Sequence, residues 1–108
     1  MNSQFKKGII ELCVLQLIKR KDMYGYQVVE ELDKYINVSV NTIYPILRRL
    51  TNEGYLATYE SDEDGRKRKF YTISMPGHDY FNKNYKEWKE FNEKVLKIFE
   101  EGDNNGEK

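Results

Sequence analysis

Residues 41–50, NTIYPILRRL, combine the pattern of a helix with a proline that helix interiors rarely accept. Apolar residues recur here every three or four positions, which is the spacing of one buried helical face. That face comprises Val40, Ile43, Leu47 and Leu50, with Ile46 beside it. Pro45 has no amide hydrogen and its ring crowds the carbonyl of Asn41, so we predict a helix with a local bend at this point.

The opposite face of this helix is polar and aromatic. Ser39 is placed to cap the start and Gly54 to end the helix in the left-handed conformation, so we expect it to cover residues 40–53. The outward residues are Asn41, Tyr44, Pro45, Arg48 and Asn52, with Thr42 and Arg49 on the flanks. An α-helix fits the major groove of DNA, where side chains of these types bind base edges or phosphates. An ordinary solvated helix face is the alternative that this stretch leaves open.

Two further helices are predicted before it. The run from residue 9 to residue 18 has only two polar members, so a helix over residues 6–20 is buried on more than one side. In so small a chain we expect one of these sides, which includes Ile9, to contact a second subunit. The next helix follows Asp22, its predicted cap, and turns an apolar face inward as far as Ile36.

After residue 54 the pattern changes to short strands. YLATYES (55–61) and RKFYTIS (68–74) are rich in aromatic and β-branched residues and flank the turn-forming DEDGRK. Helical composition returns over residues 78–101, without internal glycine or proline. The order predicts a mainly α protein with a small β-hairpin: a winged helix-turn-helix (1–75), a dimerisation helix (76–101) and a disordered tail (102–108).

The hairpin concentrates positive charge. GRKRK, residues 65–69, follows the turn with four consecutive cations, which DNA phosphates would neutralise. We therefore expect DNA contacts from Gly65, Arg66, Lys67 and Arg68. Pairing of these cations with the acids at 62–64 is the alternative, and a winged helix that docks an acidic protein is the rival function. Eighteen basic and eighteen acidic residues cancel, which excludes a uniformly basic coat.

Steps of four and three residues trace an apolar seam along the last helix. Its members are Phe81, Tyr85, Trp88, Asn92, Val95 and Phe99. One small domain cannot cover this seam, so we expect it to pair with a second copy, with Asn92 setting the register. Trp88, flanked by Tyr85 and Phe91, would face its counterpart near the twofold axis. Together with Asn92 these residues would hold a planar aromatic molecule; the alternative is that Trp88 only anchors the dimer.

Catalysis has little support in the sequence. The single histidine, His78, has no metal-binding partners at ligand spacing, and no nucleophile elbow, phosphate loop or paired carboxylates occur. We therefore predict no enzyme activity, no metal and no cofactor. The single cysteine, Cys13, lies in an apolar run and is predicted to be a buried thiol. With no signal peptide and no apolar stretch of membrane length, these features predict a cytoplasmic protein.

Three segments together resemble the PadR family of bacterial transcriptional regulators. They are YGYQVVEEL (24–32), VNTIYPILRRLTNEGYL (40–56) and GRKRKFYTISMPG (65–77), and the resemblance runs from about residue 6 to residue 82. A single long helix after the wing resembles the small subfamily, which includes multidrug-sensing regulators. The resemblance implies a homodimeric repressor of a pseudo-palindromic operator in double-stranded DNA, with the last helix swapped across the dimer.

The resemblance also assigns roles to individual residues. DNA-binding roles would fall on Tyr24, Asn41, Thr42, Tyr44, Arg48, Gly65, Arg66, Lys67 and Arg68. In the multidrug-sensing members a tryptophan of the final helix stacks on flat drugs at the dimer interface, and Trp88 lies at about that place. The resemblance therefore implies a planar aromatic effector for this chain.

Overall fold

The computed structural model describes residues 3–105, which form four helices and three strands. In chain order these are α1 (Ser3–Arg20), β1 (Met23–Tyr24), α2 (Gly25–Asp33), α3 (Val40–Asn52), β2 (Leu56–Glu63), β3 (Arg66–Ile73) and α4 (Met75–Asn105). The predicted fold class, a winged helix-turn-helix followed by a long helix, is confirmed. α4 continues past residue 101, where we expected the tail to begin, and residues 106–108 of that tail lie outside the described residues.

The buried face of α3 is the centre of the core. Ile43, Ile46, Leu47 and Leu50 have no exposed surface, and each such side chain contributes about 1.5–3 kcal/mol by burial. The same core includes Val14, Leu15 and Ile18 of α1, Val28 and Leu32 of α2, and Leu56 and Tyr71 of the sheet. The prediction that Val40 is buried is wrong: it is 42% exposed, because the first residue of α3 lies beyond the core.

The start of α2 differs from the sequence prediction. Residues 23 and 24 are extended and pair with Tyr71 and Phe70 of β3, so the helix begins only at Gly25. The cap position is therefore occupied by Tyr24, whose backbone N–H donates to Gln27 Oε1 at 3.1 Å. Asp22, predicted as the cap, instead accepts a hydrogen bond from the Tyr59 hydroxyl at 2.7 Å.

The wing is a tight antiparallel hairpin at one edge of the three-stranded sheet, whose order is β1-β3-β2. Pairing runs from Leu56↔Ile73 to Glu63↔Arg66, so the loop consists of two residues. Asp64 and Gly65 both have positive φ, 53° and 78°, as a type I′ turn requires. The turn is therefore shorter than predicted, and the charged residues on each side of it belong to the strands.

α4 is joined to the end of α3 by a close backbone contact. Ser74 Oγ donates to the Gly54 carbonyl at 2.6 Å and accepts from the Gly77 N–H at 3.1 Å. A Cβ at Gly77 would lie 2.1 Å from the carbonyl oxygen of Tyr55, a distance that only glycine permits. The first turns of α4 after this joint pack against the domain, where Phe81 is buried, and the rest of the helix extends away from it. The molecule is 66 Å long along its longest axis. Within residues 3–105, no helix has the length and hydropathy needed to cross a lipid bilayer.

We predict that Gly77→Ala destabilises the protein by about 2–3 kcal/mol, because the new methyl group collides with backbone that cannot rotate away. Alanine is the better helix former, so helix propensity alone predicts the opposite sign. Gly8→Ala in α1 is the matched control, since a Cβ there meets nothing within 4 Å. Urea unfolding measures both variants, and equal stability of the two would contradict the close contact.

Candidate nucleic-acid interface

The outer face of α3 carries the residues that the sequence predicted to bind DNA. Asn41, Thr42, Tyr44 and Arg48 are all exposed. A shallow cavity of about 430 Å³ is lined by Val40, Asn41, Tyr44, Pro45 and Arg48. α3 continues as a helix through Pro45, which is itself exposed on this face. The arrangement offers hydrogen-bonding groups and apolar groups side by side on the exposed face of a helix, as major-groove recognition requires.

Tyr44 is oriented by a contact with the start of α2. A Cβ on Gly25 would lie 3.0 Å from both Cζ and the hydroxyl oxygen of Tyr44, so the ring rests directly on the glycine backbone. Sequence reasoning assigned no role to Gly25. The signal was the glycine itself, at the first position of a helix where a larger residue would displace the ring.

The wing carries its cations on one strand and its acids on the other. The register places Glu63 opposite Arg66 and Asp62 opposite Lys67. Among the residues that the structure describes, no ion pair within 4.0 Å joins the two strands. β1 pairs only with residues 70 and 71, so residues 66–69 have an open edge on the side away from β2. The exposed cations at 66 and 67 thus remain accessible to phosphates.

Arg68 and Tyr24, which were both predicted to bind DNA, contact each other. The guanidinium carbon of Arg68 lies 4.3 Å from the centre of the Tyr24 ring, and both residues are half-buried. The edge of Tyr24 meets Phe70 at 5.5 Å between ring centres, and Phe70 stacks on Tyr59 at 5.6 Å. The hydrogen bond from Tyr59 to Asp22 raises the pKa of Tyr59. These residues form a second, smaller cluster on the face of the sheet opposite the core.

Arg49, on the flank of α3, is held by α1. Its Nε donates to Glu11 Oε2 at 2.9 Å, and its Nη2 donates to Glu11 Oε1. The hydrogen bond to the Glu11 carboxylate holds the pKa of Arg49 above its usual range. A bidentate pair of this kind fixes both distance and angle, so it ties the recognition helix to the first helix. Sequence reasoning missed it because the two residues are 38 positions apart.

The predicted seam of α4 divides into a covered part and an open part. Phe81 is buried in its own domain, with Lys19 Nζ 4.9 Å from its ring centre. Trp88 is 37% exposed and lies 6.3 Å from Tyr85 between ring centres. Asn92 and Val95 are half-buried, whereas Phe91 and Phe99 are exposed.

A cavity of about 780 Å³ lies between α1, the end of α2 and α4, with Ile9, Cys13, Tyr35, Tyr85 and Trp88 in its lining. The structure therefore brings Ile9, Tyr85 and Trp88 together, whereas Phe91 and Asn92 do not line this cavity. Cys13, which was predicted to be buried, is half-buried and lines this cavity. Partial burial raises the pKa of its thiol, which favours the neutral form.

Residues 14–83 match the family described as the transcriptional regulator PadR-like family. The chain is 27% identical over 94 residues to the transcriptional regulator Rv3488 of Mycobacterium tuberculosis, covering 86% of this chain and 88% of that protein. It is 29% identical over 82 residues to the negative transcriptional regulator PadR of Bacillus subtilis, covering 67% of this chain and 44% of that longer protein.

The fold agrees with these relationships. A PadR-like transcriptional regulator from Bacillus cereus superposes with a TM-score of 0.82 at 29% identity, over 89% of this chain and 96% of that chain. The family match spans more than half of the 108 residues and includes α2, α3 and the wing. The chain therefore belongs to the PadR-like family of transcriptional regulators, a family of regulators and not of enzymes.

Proposed function

We propose that the protein is a homodimeric repressor that binds double-stranded DNA and is released by a small aromatic ligand. The observation that carries the proposal is the exposed outer face of α3 beside a wing whose cations all lie on one strand. The similarity to a negative transcriptional regulator supports repression as the outcome of binding.

In this proposal α3 enters the major groove and the wing follows the adjacent backbone. Asn41 and Thr42 lie in the first turn of α3, which is the part of a recognition helix that reaches base edges. Tyr44 and Arg48 contact phosphates or bases one turn later. Gly65, Arg66 and Lys67 at the wing tip approach the phosphates or the narrow minor groove, whose negative potential attracts arginine.

Dimerisation would cover the open part of α4. Among the described residues of this helix, seven large apolar side chains are exposed in the single chain. They are Met75, Tyr85, Trp88, Phe91, Leu96, Ile98 and Phe99. A helix that extends beyond its own domain with this composition is suited to pairing with a second copy. The symmetric dimer would place two α3 helices on a pseudo-palindromic operator with half-sites about one helical turn apart.

The effector site would lie where the open cavity meets the dimer axis. Trp88 and Tyr85 line this cavity, and a flat aromatic molecule stacks favourably on aromatic rings of this kind. Its binding weakens DNA binding only if it favours a dimer shape in which the two α3 helices no longer match the operator spacing.

The direct test is a gel shift of DNA from upstream of the protein's own gene, measured at several salt concentrations. We expect specific binding that weakens steeply as salt rises, because counterions are released from the contacted phosphates. Absence of any shift at low salt would overturn the DNA-binding function. In that case the rival, a winged helix that docks an acidic protein, would account for the basic strand.

For the wing, we predict that Arg66→Gln with Lys67→Gln weakens binding to all DNA sequences. The slope of log affinity against log salt should fall by about 0.9 for each phosphate that the variant no longer neutralises. Lys34→Gln with Lys83→Gln removes the same charge from exposed positions outside the wing and α3, and serves as the control. If both double variants reduced the salt slope equally, DNA affinity would depend on the net charge of the protein and not on the position of the wing cations.

For the recognition helix, we predict that Gly25→Ala lowers operator affinity about tenfold with little loss of stability. The new methyl group displaces the ring of Tyr44, whose side chain can move at small cost, and a misplaced base or phosphate contact is worth about 1–3 kcal/mol. In a Tyr44→Ala background the same change should have no further effect on binding. A full additional loss in that background would refute the link between Gly25 and Tyr44.

For the effector site, we predict that planar aromatic dyes quench the fluorescence of Trp88, which is the only tryptophan of the chain. Stacking on the indole brings dye and ring into contact, and Trp88→Leu should abolish dye binding measured by dialysis. Unchanged emission across a panel of such dyes would leave Trp88 as a packing residue of the dimer interface alone.

A further inference from the structure

The four consecutive cations of the wing are not equivalent. Arg66, Lys67 and Lys69 are exposed, whereas Arg68 is half-buried. Arg68 Nε is buried and has no hydrogen-bond acceptor among the described residues. A buried N–H without an acceptor costs free energy, so another contact must hold the guanidinium in this position.

That contact is the face of Tyr24. The 4.3 Å between the guanidinium carbon and the ring centre is within the range of a cation–π interaction, which strengthens when water is excluded. The ring of Tyr24 is itself fixed by Phe70 on the neighbouring strand. Since Nε is buried, the guanidinium cannot use Nε and Nη together to bind a phosphate, which is one of its two bidentate modes.

The same contact connects the wing to the recognition helix. Tyr24 is the cap residue of α2, and its backbone N–H is held by Gln27. The next residue, Gly25, contacts the ring of Tyr44 from α3. A chain of direct contacts therefore runs from Arg68 on β3, through Tyr24 and Gly25, to Tyr44 on the surface proposed to meet the major groove.

We infer that Arg68 is a positioning residue that braces the wing against the start of α2 and thereby sets the place of the wing tip relative to α3. It does not act as a phosphate ligand, although it lies within a run of four cations. The inference rests on the proposed DNA-binding function, because the brace matters only if the wing and α3 engage one duplex together.

The test compares wild type, Arg68→Gln, Tyr24→Leu and the double variant in gel shifts with the upstream duplex at several salt concentrations. Each single change should weaken binding roughly three- to tenfold, the range of a partly buried cation–π contact. The double variant should lose no more than the worse single variant, because both changes break the same contact. The salt slope of Arg68→Gln should stay at the wild-type value.

Two controls make the outcome specific. Arg66→Gln, at the exposed tip, should lower the salt slope by about 0.9 for each phosphate that it leaves without a cation. Tyr24→Phe keeps the ring that Arg68 contacts, so Arg68→Gln should weaken binding by the same factor in the Tyr24→Phe background as in the wild type. If Tyr24→Leu does not fold, the salt slope of Arg68→Gln still tests the inference.

The inference is overturned if Arg68→Gln lowers the slope as Arg66→Gln does, or if the losses of Arg68→Gln and Tyr24→Leu add in the double variant. The first result makes Arg68 a phosphate ligand, and the second shows that Arg68 acts independently of Tyr24. Failure of the wild-type protein to bind any duplex is a different result, since it overturns the DNA-binding function and the positioning role with it.

Discussion

The buried face of α3 is the constraint on which the rest of the molecule depends. A helix can present a defined surface to a groove only if its other face cannot rotate or slide, and four fully buried aliphatic residues prevent both movements. The same constraint explains why the helix tolerates Pro45. The proline lies on the exposed side, where solvent can satisfy the carbonyl of Asn41 that loses its partner, while packing on the core side holds the helix together.

The position of α3 is also tied to the helices that surround it. The bidentate pair between Arg49 and Glu11 joins α3 to α1, and the loop after α3 is joined to the start of α4 through Ser74 and Gly77. Tyr55 of this loop stacks on Tyr80 of α4 at 4.1 Å between ring centres. In the proposed dimer, a change in the angle between two α4 helices would therefore move the two α3 helices with them.

Local patterns predicted the large elements correctly. The helical period of α3, the left-handed Gly54 and the position of the wing turn around Gly65 each depend on a few neighbouring residues. The cap of α2 was predicted wrongly because the start of this helix depends on a strand that is distant in the sequence. Asp22 has the right chemistry for a cap, but residues 23 and 24 pair with a strand more than forty positions later, and that pairing delays the helix.

The sequence by itself determined the order of the four helices and the hairpin, the buried face of α3 apart from Val40, the family and the concentration of cations after the wing turn. Only the tertiary structure decided that Arg68 lies on Tyr24, that Gly25 supports Tyr44 and that Glu11 holds Arg49. Backbone preferences and hydrophobic periodicity act over one or two turns of chain, so they can be read from neighbouring residues. The partner of a long charged or aromatic side chain lies on whichever distant segment the fold brings within a few ångströms. Neighbouring residues in the sequence do not specify that segment.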